Sequence, residues 1–124
     1  MVEDRAGLAA EQFCYLTTTG RRSRQPHTIE IWFALDEEGA TAYLLSGGRD
    51  RSDWVRNLRQ DPSVRLRIGA DEFAARARVV TDPAEDALAR DLVAGKYQPA
   101  YAGDLSGWRR DSLPVAVDLD QRHG

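Results

Sequence analysis

The sequence predicts an α+β domain, mainly β, with about six antiparallel strands and two to three helices. Two observations lead to this prediction: several segments alternate between apolar and polar residues with the period of a strand, and turn residues join these segments in hairpin order. A sheet with so little helical cover closes most simply on itself as a barrel. The length of 124 residues is typical of one domain, so residues 1–124 are assigned to a single domain.

The first half of the chain is predicted to contain three strands. Residues 13–19 are β-branched and aromatic and end at a glycine, and residues 20–25 form the turn that follows. Residues 26–35 alternate in character throughout, which predicts one long half-buried strand. The turn residues at 36–39 lead into a third strand at 41–46, so the second and third strands form a hairpin.

A helix and another hairpin follow in the middle of the chain. Ser52 is a typical N-cap, and the pair Asp61-Pro62 ends the helix that it begins. Residues 64–68 alternate apolar side chains with arginines, and residues 72–80 supply the partner strand after a turn that contains glycine. The predicted order is therefore a helix and then a second hairpin.

The last third of the chain is predicted to contain a helix, a loop and a final strand. Asp82 provides an N-cap, a proline follows at the first helical position, and Glu85 completes a capping box. The segment that carries Tyr97 and Tyr101 is predicted to be a loop. Residues 113–119 form the last strand, whose early proline suits an edge or a strand start.

Composition argues against several classes of function. The net charge of −3 disfavours general affinity for nucleic acid, and no apolar run approaches the roughly 20 residues that cross a bilayer. No Ser-His-Asp arrangement, pair of catalytic carboxylates or metal-spaced His/Cys cluster is visible, which disfavours a hydrolase or a metalloenzyme. Residues 1–5 are followed by no apolar segment of a secretory signal, so a cytoplasmic location is expected. The single cysteine, Cys14, is expected to be a buried structural residue.

The turn between the first two strands is the first candidate binding element. It contains Gly20, Arg21, Arg22 and Arg24, and no carboxylate lies anywhere in the segment 12–29. Arginine side chains bind phosphate or carboxylate through paired hydrogen bonds, and backbone amides beside a glycine can add to them. The turn therefore predicts an anion site, and a solvated basic turn is the alternative interpretation.

The second candidate is the sequence Ser46-Gly47-Gly48-Arg49 at the end of the third strand. Its two glycines would let a ligand approach the backbone, and the helix that follows offers its N-terminus to an anion. Trp54 on that helix is either a core residue, which is the commoner case, or a contact for a flat ligand.

Two polar residues of the second strand are each open to two interpretations. His27 is more often a hydrogen-bonded structural residue than a catalyst. Glu30 interrupts an apolar strand, and a buried carboxylate requires a partner. Either the face of the sheet that carries Glu30 is solvated, or an arginine pairs with it.

Taken together, these motifs resemble those of the deazaflavin-dependent nitroreductase family. Their order and spacing match across most of the chain, and the set is more specific than any single motif. The late aromatic residues and the Leu-Pro-Val at the start of the last strand are similar as well. The matching segments are Leu16-Thr17-Thr18-Thr19-Gly20-Arg21-Arg22-Ser23, Gln25-Pro26, Trp32-Phe33, Ser46-Gly47-Gly48-Arg49, and Trp54-Val55-Arg56-Asn57-Leu58 with Asp61-Pro62.

The resemblance implies a split β-barrel related to the FMN-binding pyridoxamine 5′-phosphate oxidases. It implies a homodimeric enzyme in which reduced coenzyme F420 gives a hydride to a quinone, a nitro compound or another unsaturated small molecule. It places Tyr97 and Tyr101 loosely on the substrate side. The positions that it implies for cofactor binding are Thr19, Gly20, Arg21, Arg22, Ser23, His27, Trp32, Ser46, Gly47, Gly48, Arg49, Trp54 and Asn57.

The sequence departs from the family pattern at four positions. Arg22 stands where lysine is usual, Arg24 where glycine is common, and His27 where arginine is common. One phosphate contact is therefore expected to be weaker or rearranged. Glu30 replaces an uncharged residue, which suggests a subgroup with its own substrate.

The sequence leaves two other functions open, an FMN-binding oxidoreductase of the same fold and a non-catalytic protein that binds a flavin or another ligand. FMN ends in one phosphate, whereas F420 extends past its phosphodiester into a chain of carboxylates. Arg21, Arg22, Arg24 and Arg49 supply more positive charge than FMN needs. F420 is therefore the predicted cofactor, with FMN as the alternative, and the sequence identifies neither the acceptor nor a proton donor.

Overall fold

The computed structural model describes residues 5–120. Residues 1–4, on which the expected absence of a secretory signal partly rests, lie outside this range. The sheet contains seven strands, all paired antiparallel, which are β1 (Cys14–Thr19), β2 (Pro26–Ile31), β3 (Ala34–Leu35), β4 (Thr41–Ser46), β5 (Ser63–Ile68), β6 (Asp71–Val79) and β7 (Leu113–Leu119).

The helices connect and cover parts of this sheet. The predicted N-cap is present, because the Asp82 carboxylate accepts a hydrogen bond from the Glu85 amide at 2.9 Å. The Glu85 carboxylate accepts hydrogen bonds from Tyr43 and Arg78 in place of the return bond of a capping box. The prediction of a loop at Tyr97 is wrong, since the helix continues to this residue and buries its last turn. Over residues 5–120 the α-helices are α1 (Arg5–Ala9), α2 (Asp53–Gln60), α3 (Pro83–Tyr97) and α4 (Ser106–Asp111), with short 3-10 turns at Arg49–Arg51 and Gln98–Ala100.

The strands follow the order β2-β1-β5-β6-β7-β4-β3. The predicted hairpin of residues 64–68 and 72–80 is present, with Leu66 of β5 paired with Phe73 of β6, and β1 pairs with β2 across the basic turn, with Leu16 opposite Ile29. The predicted hairpin of the second and third strands forms only in part, because β3 pairs with β4 and β2 does not. The predicted strand at 26–35 is not continuous. It is interrupted after Ile31, and its two parts, β2 and β3, lie at opposite edges of the sheet.

The interruption is explained by side chains from α3 that bind the backbone of Phe33. The Phe33 amide donates to the Tyr97 hydroxyl at 3.0 Å, and the Phe33 carbonyl lies 3.0 Å from the same oxygen. The Lys96 ammonium donates to that carbonyl at 2.9 Å. Because side chains already form hydrogen bonds with the backbone amide and carbonyl of Phe33, this residue can lie outside the sheet without leaving these groups unpaired.

The same interruption requires the sheet to curl. Three residue steps join Ile31 to Ala34, so the two edges approach to within about 11 Å at this point. Seven strands laid flat would place their outer strands about 29 Å apart. The sheet therefore bends round into an incompletely closed barrel, which confirms the predicted split β-barrel and its mainly β, α+β class.

Two apolar clusters hold the elements together. The interior of the barrel contains Leu16, Leu66 and Phe73 and is closed by Leu58 of α2. A second cluster lies on the outer side of β3, β4 and β7, where α3 and α4 pack. Cys14 is fully buried in the first cluster, and this burial raises the pKa of its thiol to about 12, as suits a structural cysteine.

The outer face of β1, β2, β5 and β6 has a different character. Alternate residues of β5 and β6 point outward and are exposed, among them Arg65, Arg67 and Arg76. Within the described range, no helix is long and apolar enough to cross a membrane, and no group of three His, Cys, Asp or Glu side chains could hold a metal ion.

Candidate functional site

The turn between β1 and β2 is closed by its own backbone. The Gly20 amide donates to the Gln25 carbonyl at 2.8 Å, and the Arg24 amide donates to the Gly20 carbonyl at 2.9 Å. A Cβ on Gly20 would lie 2.6 Å from both the Ser23 hydroxyl and His27 Nε2, so only glycine leaves this space free. The turn is therefore compact, with the polar atoms of Ser23 and His27 beside the glycine.

Arg21 fastens this turn to α2. The buried Asn57 side chain accepts hydrogen bonds from the Arg21 amide at 3.2 Å and from its guanidinium at 2.9 Å, and donates to the Thr18 hydroxyl at 3.2 Å. The guanidinium also meets the exposed Asp53 carboxylate at 3.2 Å. Arg21 and Asn57 therefore position the turn as well as lining the space beside it.

Arg22 is placed differently from the other two arginines of the turn. Arg24 has an Asp61 carboxylate oxygen at 3.5 Å. Arg22 is exposed, and no carboxylate of residues 5–120 pairs with it. Of the turn's three guanidinium groups, that of Arg22 therefore has its charge available to a ligand.

A first cavity of about 550 Å³ opens beside the turn. Its polar side is formed by Arg21, Arg22, Ser23 and His27, and its apolar side includes Trp54. The ring of Trp54 is half-buried and also packs against the barrel core, so this residue takes part in both the core and the cavity wall. The first cavity thus combines hydrogen-bond donors with a flat apolar wall.

A second cavity, of about 540 Å³, lies at the C-terminal end of β2, and aromatic side chains form much of its wall. The Trp32 ring stacks on Tyr97 with ring centroids 4.2 Å apart, and it meets Tyr101 and Trp108 edge-on at 5.9 and 5.7 Å. The aromatic side chains that line this cavity are Phe13, Trp32, Tyr101 and Trp108, and the carboxylates of Glu30 and Asp104 line it as well.

The two cavities are neighbours along one strand. Thr28 and Ile29 line the first cavity, and the next two residues, Glu30 and Ile31, line the second. Consecutive residues of a strand lie about 3.3 Å apart along its axis, so a single elongated molecule on β2 can reach both cavities.

The connection after β4 does not line either cavity. The Ser46 hydroxyl donates to the Arg49 carbonyl at 2.9 Å, and the Arg49 side chain donates to the Asp111 carbonyl at the end of α4. A Cβ on Gly47 would lie 3.5 Å from the indole nitrogen of Trp108. Arg49 thus bonds the end of α4 and Gly47 lies beside Trp108, and the cofactor contacts expected of Ser46, Gly47, Gly48 and Arg49 stay a prediction.

Thr19 points away from the first cavity. It lines a separate space of about 440 Å³ with Arg65 and Arg76, whereas its neighbour Thr18 lines both this space and the first cavity. Strand alternation explains the difference, because successive side chains point to opposite faces. Sequence reasoning also missed Asp53 in the first cavity and Trp108 in the second as lining residues.

Comparison with known proteins decides the family. The family described as F420H(2)-dependent quinone reductase matches residues 5–120. The chain belongs to this family. An F420H2-dependent quinone reductase from Mycobacterium tuberculosis is 33% identical over 66 residues, which are 52% of this chain and 44% of that protein. The match therefore spans less than half the length of that relative.

Solved structures share the fold at low sequence identity. A structure described as F420-H2 dependent reductase (FDR-A) has a TM-score of 0.67 and 19% identity, and the alignment covers 88% of this chain and 94% of that one. A structure described as a domain-swapped dimer has the same TM-score and identity, with 88% of this chain and 80% of that one covered. Family and fold together confirm the resemblance to deazaflavin-dependent reductases.

In this F420H2-dependent quinone reductase family member, the two late tyrosines differ in environment. Tyr97 is buried, its hydroxyl donates to the Gln12 carbonyl at 2.6 Å, and burial raises its pKa to about 12. Tyr101 is 47% exposed and lines the second cavity. These environments favour a packing role for Tyr97, under Trp32, and a ligand-facing role for Tyr101.

Glu30 is on a solvated face, which agrees with one of its two predicted interpretations. It is exposed and accepts a hydrogen bond from the Tyr15 hydroxyl at 2.7 Å, which raises the pKa of Tyr15. No arginine of residues 5–120 forms an ion pair with Glu30. The carboxylate therefore lies at the wall of the second cavity without an arginine partner among the described residues.

Proposed function

We propose that this protein is an F420H2-dependent oxidoreductase that reduces a quinone, or a nitro or other unsaturated small molecule. The observation that carries the proposal is the pair of adjoining cavities on β2, one with hydrogen-bond donors and a free guanidinium, the other aromatic. Membership of the F420H2-dependent quinone reductase family supports the same function.

The first cavity fits the anionic part of F420. Arg22 offers an unpaired charge, and Ser23 and His27 offer polar atoms beside Gly20, whose missing side chain keeps the space open. Arg21 is held in place by Asn57 and presents its guanidinium to the same cavity. Guanidinium groups and hydroxyls are suitable donors for phosphate and carboxylate oxygens.

When bound, reduced F420 supplies the hydride, and the protein supplies binding and orientation. The aromatic side chains of the second cavity would hold a flat acceptor and exclude water from it. The Tyr101 hydroxyl has no protein partner in the described range and can donate a hydrogen bond to an acceptor oxygen. Trp32 is kept in place by its stacking on Tyr97.

The test is a titration of the purified protein with F420 and, separately, with FMN, followed by an assay of F420H2 oxidation with a naphthoquinone. We expect F420 to bind, the quinone to be reduced, and NADPH not to replace F420H2. A protein that retains FMN through purification and does not exchange it for F420 would instead be the FMN oxidoreductase. Tight F420 binding without reduction of any acceptor would identify a non-catalytic binding protein.

We also propose that the chain forms a two-fold homodimer. The outer face of β1, β2, β5 and β6 is open, and a relative of the same fold is described as a domain-swapped dimer. Light scattering at micromolar concentration is expected to give twice the mass of the chain, and a monomer that still binds F420 would refute this proposal. The single domain, the cytoplasmic location and the absence of a nucleic-acid or membrane partner stay predictions.

A further inference from the structure

The second cavity carries negative charge. Glu30 and Asp104 both line it, and among the described residues that line it none is a lysine, arginine or histidine. The amide and hydroxyl of Ser106 donate to the Asp104 carboxylate at 2.9 and 3.0 Å, and these hydrogen bonds lower the pKa of Asp104 below its usual value. Asp104 is therefore ionised at neutral pH.

The network of Glu30 includes the basic residue Arg67, which lies on the same face of the sheet because Tyr15 pairs with both Glu30 and Arg67 across the strands. The Arg67 guanidinium lies over the Tyr15 ring, 4.2 Å from its centroid, and donates to the Gly69 carbonyl at 2.9 Å. Tyr15 donates to Glu30, and Glu30 raises the pKa of Tyr15 while Arg67 lowers it. Arg67 does not line the second cavity and forms no ion pair with Glu30 among residues 5–120, so it offsets the charge of Glu30 only in part.

The aromatic walls add to the same electrostatic preference. Tyr97 covers one face of the Trp32 ring, and Tyr101 and Trp108 stand at right angles to it. The faces of aromatic rings carry partial negative charge and attract cations. Indole and phenol rings combined with carboxylates form a site suited to a flat molecule with positive charge.

We propose that the second cavity selects flat aromatic acceptors that carry a positive charge, such as a quaternary or protonated amine, over neutral and anionic ones. The identification of this cavity as the acceptor site rests on the function proposed above. The selectivity itself rests on the two carboxylates, the aromatic walls and the absence of a basic side chain among the lining residues.

Binding can be measured without any redox reaction. Two redox-inert probes, N-methylquinolinium and 2-naphthalenesulfonate, are titrated while tryptophan fluorescence is recorded, because Trp32 and Trp108 line the cavity. We expect the cation to bind about two- to thirtyfold more tightly than the anion. Glu30→Gln and Asp104→Asn should each reduce this ratio by about two- to fivefold.

A matched control is Glu38→Gln, which removes one carboxylate from an exposed turn outside both cavities and should leave the ratio unchanged. Melting temperatures of all variants are recorded, and Glu30→Gln, which loses no backbone hydrogen bond, is a sufficient test if Asp104→Asn disturbs its loop.

Turnover of naphthoquinones that carry a trimethylammonium group, a sulfonate or no charge provides the second readout. A preference for the cationic quinone in kcat/KM that decreases in Glu30→Gln supports the proposal. Equal binding of both probes, or a preference that is undiminished when Glu30→Gln and Asp104→Asn are combined, overturns it even if neutral quinones are reduced. If no quinone is reduced while the cationic probe binds selectively, the proposed function fails and the charge selectivity stands.

Discussion

Arg21 and Arg22 are adjacent in the sequence but differ in their hydrogen bonds within the protein. Arg21 is bonded to Asn57 and Asp53, so much of its hydrogen-bonding capacity is used inside the protein. Arg22 is exposed and has no carboxylate partner in the described range. A ligand anion would therefore gain more from Arg22 than a count of positive charges suggests.

We predict that Arg22→Ala weakens F420 binding about ten- to a hundredfold and leaves the melting temperature unchanged. A hydrogen bond to a charged group is worth about 1.5–3 kcal/mol, and Arg22 makes none within the described range that the fold would lose. Fluorescence titration and thermal unfolding measure the two effects. Arg59→Ala, which removes an exposed arginine of α2 outside both cavities, is the control, and equal affinities of the two variants would contradict the prediction.

For single residues, the sequence identified the turn that lines the first cavity but named Thr19, whereas Thr18 lines that cavity. The glycine and the arginines predict an anion site because their chemistry is local. The choice between Thr18 and Thr19 depends on which face of β1 is turned toward α2, and alternation alone does not specify this. The same limit applies to Arg49, whose partner, the Asp111 carbonyl, is 62 residues away along the chain.

Among the elements, the interruption between β2 and β3 matters most, because it places Trp32 in the second cavity. It is held by two residues at the end of α3. The Tyr97 hydroxyl bonds the amide and carbonyl of Phe33 and the Gln12 carbonyl, and Lys96 bonds the carbonyls of Phe33 and Glu11. The last turn of α3 thus joins the strand interruption to the segment before β1.

We predict that Tyr97→Phe lowers the free energy of unfolding by about 1–3 kcal/mol, because the buried Phe33 amide loses its acceptor. Tyr101→Phe should leave the stability unchanged and reduce kcat/KM for a quinone about fivefold, as for the loss of one hydrogen bond of about 1 kcal/mol. Denaturant unfolding and steady-state kinetics separate the two. The reverse pattern, a stable Tyr97→Phe and a destabilised Tyr101→Phe, would contradict both assignments.

Lys96 leads to a prediction of pH dependence. Desolvation lowers its pKa from the ordinary value of 10.5 to about 8, so between these pH values the unfolded chain binds more protons at Lys96 than the folded protein does. Stability contributed by Lys96 therefore rises with pH across this window. The difference in unfolding free energy between wild type and Lys96→Met should move in favour of the wild type from about pH 8 to 10.5.

The comparison with Lys96→Met is needed because other titrating groups lower the free energy of unfolding as the pH rises. Burial raises the pKa values of Cys14 and Tyr97 to about 12, so both remove stability as the pH rises above their ordinary values of 9.0 and 10.0. Both residues are present in the variant, and their contributions largely cancel in the difference. A difference that does not change with pH would rule out the shifted pKa of Lys96.

Helices and strands could be predicted from the sequence where residues close together in the chain determine them. The hairpin of β5 and β6 and the cap at Asp82 follow from turn and capping residues. Helix α2 begins after Ser52 as predicted, but the Ser52 hydroxyl makes no cap hydrogen bond and lies 2.9 Å from the Ser46 hydroxyl. The interruption after Ile31 was not predictable, because residues 26–35 alternate as one strand and only the contacts from Lys96 and Tyr97 make the break favourable. The short helix α4 depends in the same way on distant side chains, including Arg90 and Arg49, which bond the carbonyls of its last turn.

At the scale of the whole molecule, charge is separated along β2. The net charge is −3, yet the first cavity is lined by Arg21 and Arg22 with Asp53 as its only carboxylate, while the second contains Glu30 and Asp104. A multiply charged anion is therefore attracted to the first cavity and repelled from the second, so its orientation is selected along with its position.

We predict that F420 binding is sensitive to salt. Raising the ionic strength from about 0.05 M to 0.5 M shortens the screening length several-fold, and the dissociation constant should rise about three- to tenfold. The increase of the dissociation constant with salt should be smaller in Arg22→Ala, which has one charge fewer in the first cavity. Titrations at four salt concentrations measure it, and an affinity independent of salt in the wild type would show that charge does not direct binding.

The place of β2 at the edge of the sheet has a consequence for aggregation. An edge strand offers unpaired backbone groups to a strand of another chain. Both cavities include residues of β2, so a molecule bound in the first cavity would also cover part of this exposed edge. Held at temperatures equally far below their respective melting points, the F420-bound protein should scatter light later than the empty one, and identical onset times would show that the edge is already protected.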